Sequence, residues 1–170
     1  MVEAIFNDKD ILIVTAKDID NIKKQALASP RKRFRLCMHH SGDDRTQEMV
    51  IVFHKDTYMP PHRHPKGKSE SYHIIEGSMS VFIFDNDGKV IDKIEMAPHK
   101  GRKPFIFRVS DSIWHMPVPT SEWLVYHETY TGPFVKEKDV EFPIWAPKED
   151  EREQVKCFLA EISNKKTAKG

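Results

Sequence analysis

A chain of 170 residues, 39% apolar and 31% charged, fits one globular domain whose core folds without staples, and excludes a wholly disordered chain. Lysine and arginine outnumber aspartate and glutamate by 27 to 26, so the basic surplus of a nucleic-acid binder is absent. Two cysteines, Cys37 and Cys157, imply no disulfide framework.

In chain order, the longest early apolar run is Ile11 to Val14, flanked by Asp8, Lys9 and Asp10. It is too short for a signal-peptide core, and no later run reaches the length of a membrane span. The expectation is a cytoplasmic protein with neither membrane nor nucleic acid as partner. ILIVT is expected as an edge strand of a short arm. Thr15 then suits a helix N-cap and Asp18 its first turn. Ile19, Ile22, Ala26 and Leu27 recur at helical spacing, and Pro30 stops the helix near Ser29. Residues 1–30 are thus read as an arm and a helix, 31–135 as a β core, and 136–170 as a linker and C-terminal helix.

From Arg31 to His40 the chain alternates. Arg31, Arg33, Arg35, Cys37 and His39 share one face; Phe34, Leu36, Met38 and His40 share the other. A row of guanidiniums is ordinarily a solvated face. If it lines a pocket, it is a substrate-binding candidate for a phosphate or carboxylate. Gln47 to Phe53 reads as the partner strand. Met79–Phe84 and Lys89–Glu95 form a hairpin around Asp85-Asn-Asp-Gly88. Phe105–Val109, a strand opening at Ile113, and Trp123–Tyr130 complete the set. About eight short strands without intervening helices argue for an antiparallel sandwich or barrel. Phe142 to Pro147 is an apolar extended linker. Pro147, Glu149, Asp150 and Glu151 suit a first helical turn, followed by Val155, Phe158, Leu159 and Ile162 at helical spacing; the basic tail NKKTAKG is expected to fray.

The chemistry concentrates between Tyr58 and Gly77, YMPPHRHPKGKSESYHIIEG. His62 and His64 lie two apart, so on an extended strand both imidazoles reach one point. Glu70 follows after a turn-like Pro-Lys-Gly-Lys and opens the returning strand. Two nitrogens and an oxygen suit Zn, Mn, Fe or Ni better than Mg or Ca. His115, in SDSIWH, supplies one more nitrogen from the second half of the chain. Tyr72 shares Glu70's strand face and is a candidate proton donor or partner of a metal ligand, weighed against a packed core tyrosine. His127 and Glu128 fall on opposite faces of one strand, so only one lines the pocket; His127 is taken as the acid–base candidate. No P-loop, nucleophile elbow or dinucleotide fingerprint supports another enzyme class.

These motifs resemble the cupin superfamily. The first cupin motif is matched by His62, His64, Glu70 and Gly77, with six residues between the last two. Asp56 stands where a glycine usually opens it. In the second motif His115 is kept, while Ser110-Asp-Ser112 replaces the usual turn. ASPRKRFRLCMH, PHRHPKGKSESYHIIEG, HETYTGPF and FPIWAP are together similar to the WbuC-type cupin-fold metalloproteins of bacterial O-antigen and capsule gene clusters. The resemblance implies a mainly β, jelly-roll-like cupin with an N-terminal and a C-terminal helix, and one divalent transition metal on His62, His64, Glu70 and His115. It implies a small polar or sugar-linked ligand in surface-polysaccharide metabolism, handled by an isomerase, oxygenase or hydrolase; a non-catalytic binding or structural cupin is the alternative. A homodimer is expected, because the N-terminal arm and FPIWAP could cover sheet edges of a second copy.

Overall fold

A computed structural model describes residues 3–110 and 112–164. Asp111 and the basic tail beyond Asn164 lie outside the described residues. Within them, nine strands form two sheets. The larger has the order β1 (Ala4–Phe6), β2 (Arg33–Cys37), β3 (Thr46–His54), β9 (Trp123–Thr131), β4 (Ser69–Glu76), β7 (Ile106–Ser110). The smaller has the order β6 (Val90–Met96), β5 (Met79–Phe84), β8 (Trp114–Pro119). The two ladders face each other as a β-sandwich and do not close into a barrel.

Alternation explains the layers. Along β3, Met49, Ile51 and Phe53 face the space between the sheets, while Val50 and Val52 face outward under a helix. That double burial is why the strand reads as a nearly continuous apolar run. Along β5, Met79, Val81 and Ile83 face inward, and Phe82 and Phe84 face outward. Helix α1 (Ala16–Ala28) covers the outer face of the large sheet through Ile22 and Ala26. Its start is a capping box: the Asp18 carboxylate accepts from both the backbone N–H and the hydroxyl of Thr15, at 2.8 and 2.6 Å. Ser29 caps its end. Helix α3 (Arg152–Asn164) covers the outer face of the small sheet, burying Val155 and Ile162 beside Phe82, Phe84 and Trp114.

Several expectations need correction. The first strand is Ala4–Phe6, not ILIVT, and it pairs in parallel with β2. Ile11 and Ile13 are 79% and 75% exposed; by then the free edge of β2 is already paired with Ala4–Phe6, and the chain instead leads into the helix cap. The C-terminal helix starts at Arg152 rather than at Pro147. A short helix, α2 (Lys136–Asp139), falls within the segment expected as linker. The His62-Arg63-His64 stretch is extended but belongs to neither sheet as a regular strand; it makes isolated bridges to His115 and Glu141. The FPIWAP segment does lie on the body through Trp145, whose ring packs tilted against Phe84 and edge-on to Trp114, while Ile144 is fully exposed.

Candidate metal centre

The isolated bridge makes the site. His62 and His115 exchange backbone N–H···O bonds, both 2.9 Å. This pairing ties the HxH stretch to the end of the small sheet and sets the His62 and His115 rings 4.4 Å apart. Arg63 alternates outward, where its guanidinium pairs with the Glu141 carboxylate at 2.8 Å and lies over Trp114. His64 returns to the inside. Glu70 enters from β4 in the large sheet, in register with Tyr130 of β9 and Val109 of β7. One imidazole pair from a bridge, a third ring from the small sheet and an acid from the large one thus meet between the layers.

The four groups offer ligand atoms all within 4.8 Å of one another. All four residues are buried, from 1% exposure for His115 to 6% for His64. Each imidazole is oriented by its Nδ1, which lies 3.1 Å from the Pro60 carbonyl in His62, 2.6 Å from the Asp139 carbonyl in His64 and 2.9 Å from the Ile113 carbonyl in His115. A carbonyl only accepts, so each Nδ1 carries the proton and each Nε2 presents a lone pair inward. The Nε2 atoms of His64 and His115 are buried with no hydrogen-bond partner. They nonetheless crowd the two Glu70 oxygens: His64 Nε2 lies 3.1 Å from one, and His115 Nε2 lies against the other. Lone pairs and carboxylate oxygens aimed at a common point without hydrogen-bond geometry are costly unless a cation lies among them. The residues therefore fit a metal ion.

The electrostatics agree. Burial, and then the neighbouring His115, push His62 down to about 3. Burial alone would raise the Glu70 carboxyl, but the surrounding imidazoles, His115 foremost, hold it well below the usual carboxylate range. Burial also works against a charge on His64, yet the Glu70 carboxylate more than offsets it and raises its affinity for a proton. The Tyr72 hydroxyl donates 2.7 Å to Glu70 Oε1 and fixes the carboxylate from behind; burial and then the Glu70 charge push that hydroxyl well above its usual range.

Beside the four groups, the inner face of the large sheet bounds a cavity of about 470 Å³. All three arginines of β2 and the turn before it line it. Two are engaged: Glu149 accepts from Arg31 at 2.5 and 2.6 Å and from Arg33 at 2.9 Å. Arg31 also pairs with Glu3, and Arg33 donates to the Tyr58 carbonyl. His127 is not brought to the site. It lies on the outer face, cross-strand from His73 and 3.9 Å from Glu48. The cavity-facing residue is Glu128, in register with Tyr72 on one side and Met49 on the other. Burial, and then the Glu70 charge, push its carboxyl up to about 8. The signal that could have found it is the parity of β9: Leu124, Tyr126, Glu128 and Tyr130 share a face with three large side chains. Trp123 and Val125 on the opposite face obscure that signal. The Asp139 carbonyl, which orients His64 from α2, has no sequence signal at all.

Residues 14–96 match a family model described as a domain of unknown function (DUF6016). No curated protein matches the chain. Among solved structures, a structural-genomics target protein from Shewanella oneidensis is similar at a TM-score of 0.57 and 10% identity, over 76% of this chain and 85% of that one. An L-ribose isomerase from Cellulomonas parahominis is similar at a TM-score of 0.52 and 15% identity, over 67% and 70% of the two chains. The fold is cupin-like. A recombinant oxalate oxidase is also similar, at a TM-score of 0.50 and 12% identity, over 80% and 75%. At these identities the likeness carries the fold alone. Within this cupin-like sandwich, the four converging side chains make the candidate metal site.

Proposed function

We propose that the protein is a metal-binding cupin that holds one divalent transition ion, Zn, Mn, Fe or Ni, through His62, His64, Glu70 and His115, and uses it on a small polar or sugar-linked ligand in the adjoining cavity. The observation that carries this reading is the set of three imidazoles whose Nδ1 atoms are committed to carbonyls, leaving Nε2 lone pairs and a carboxylate aimed at one point. Three nitrogens and one oxygen suit those ions. When bound, such an ion supplies a Lewis acid that polarises a ligand oxygen. The chain's own residues do the rest: Tyr72 holds Glu70 in place, the Asp139 carbonyl holds His64, and the buried walls exclude bulk water. The resemblance to WbuC-type cupins supports a place in bacterial surface-polysaccharide metabolism; the short early apolar run supports the cytoplasm, and the N-terminal arm and FPIWAP segment support a homodimer. Metal analysis of purified, unchelated protein should find about one ion per chain, and His115→Ala should lose it while keeping the β-sheet circular dichroism. Wild-type protein that neither carries nor takes up an ion would overturn the assignment.

A second reading is favoured by the burial of all four groups: the ion staples the HxH stretch between the two sheets and performs no turnover. Conversion of any member of a nucleotide-sugar and sugar-acid panel by metal-loaded protein, lost in His115→Ala, would decide for an enzyme. Light scattering at micromolar concentration tests the dimer.

A further inference from the structure

The cavity beside the metal centre carries two charged groups outside its ion pairs: Arg35, which lies against the Cys37 thiol, and Glu128, which feels the Arg35 charge. Glu149 and Glu3 take up Arg31, and Glu149 with the Tyr58 carbonyl takes up Arg33. Arg35 lines the same cavity, and among the described residues it makes no ion pair with a carboxylate. Glu128 lines it too, and its side chain makes no hydrogen bond among the described residues. Cross-strand register places them in sequence along the inner face. Glu70 stands in the row of Tyr130 and Gln47. The next row holds Tyr72, Glu128, Met49 and Cys37. The row after that holds Ile74, Tyr126, Ile51 and Arg35. Glu128 therefore stands between the metal-binding acid and the Arg35 guanidinium.

We propose that Arg35 and Glu128 are the specificity-determining residues of this cavity, and that its ligand is a polyhydroxy carboxylate several carbons long, its carboxylate on Arg35, a hydroxyl on Glu128 and its far oxygens toward the metal centre. The proposal rests on the metal-centre reading for that last contact alone. One guanidinium matches the planar, bidentate geometry of a carboxylate. A phosphomonoester or diphosphate brings about two charges, which one guanidinium does not balance; with Arg31 and Arg33 already paired to carboxylates, a three-arginine phosphate grip is not formed. The carboxyl of Glu128 suits a hydroxyl, which both donates and accepts. Length follows from spacing: two rows and three strands separate Glu70 from Arg35, roughly 15–20 Å between Cα atoms on a flat sheet. Side-chain reach and sheet curvature shorten that span, yet a two-carbon acid does not bridge it. A cavity of about 470 Å³ accommodates a six-carbon chain.

The test is calorimetric titration of D-gluconate against glucitol, its neutral counterpart, into protein loaded with Zn or Mn and into the same protein after chelation, with metal content measured in each. Gluconate should bind at least about tenfold more tightly than glucitol. Arg35→Met, which keeps the apolar stem, should abolish that preference, and Arg35→Lys should restore it only in part. Glu128→Ala should weaken gluconate about threefold to tenfold and leave acetate unchanged. Arg35 is exposed, so its replacement spares the core, and metal content should stay at the wild-type value. Equal binding of gluconate and glucitol, or full gluconate affinity in Arg35→Met, overturns the proposal. An Arg35-dependent preference in protein that takes up no metal would keep the anion site and sink the metal reading. Metal binding without the preference would do the reverse.

Discussion

At the residue scale, the site is a problem of unsatisfied atoms. His64 and His115 bury an Nε2 with no hydrogen-bond partner, and such groups cost about 1–3 kcal/mol each unless something meets them. Tyr72 adds a charge-assisted bond to Glu70. Tyr72→Phe should therefore cost about 1.5–3 kcal/mol of stability in chelated protein, and weaken metal affinity by about tenfold or more, read by denaturant melts and by competition with a chromophoric chelator. Unchanged affinity would reduce the hydroxyl to a packing contact. The titration of His62 gives a second outcome. Its folded pKa is about 3, against an ordinary 6.5. Between those values the unfolded chain binds a proton that the folded chain refuses, so stability from this group is present above 6.5 and lost as pH falls toward 3. The melting temperature of chelated protein should fall as pH drops from 7 to 4.5, and His62→Asn should flatten that fall. A variant with the same pH slope would assign the loss to other groups.

At the scale of elements, much was legible. The hairpin strand Met79–Phe84 has the boundaries expected of it, because a strong Asp-Asn-Asp-Gly turn and alternating apolar residues agree. Helix α1 starts and stops where Thr15 and Pro30 direct, since capping is local chemistry. The parallel pairing of Ala4–Phe6 was not legible, because a three-residue strand has too little pattern to show a partner. Gly77 illustrates a signal whose reason is tertiary: it ends β4 at φ +76°, and a Cβ there would meet the Trp123 carbonyl oxygen at 1.9 Å. Gly77→Ala should cost about 1–3 kcal/mol or more through forced backbone movement. A thermal melt measures this, and an unshifted midpoint would mean that the turn relaxes freely.

At the scale of the whole molecule, the candidate metal site joins two sheets that share no ladder. Glu70 belongs to the large sheet, His115 to the small one, and His62 and His64 to the bridging stretch. Binding only the folded form stabilises by about 2.7 kcal/mol when free metal stands at a hundred times its dissociation constant. For a chain of this size that is about 5–10 °C in midpoint. Differential scanning calorimetry with and without chelator should show that shift, and His115→Ala should show none. No described helix is long and apolar enough to cross a membrane.

Composition, alternation and turn chemistry determined the β architecture, the flanking helices and the His62, His64 and Glu70 cluster, because those signals lie within a few neighbouring positions; His115 came from its likeness to a second motif further along the chain. Only the tertiary structure decided that Glu128 rather than His127 faces the cavity, because β9 is apolar on both sides and its neighbours choose the face. It also decided which arginine stays outside the ion pairs: the carboxylate that occupies Arg31 comes from Glu149, 118 positions further along the chain, a distance over which no local pattern carries information.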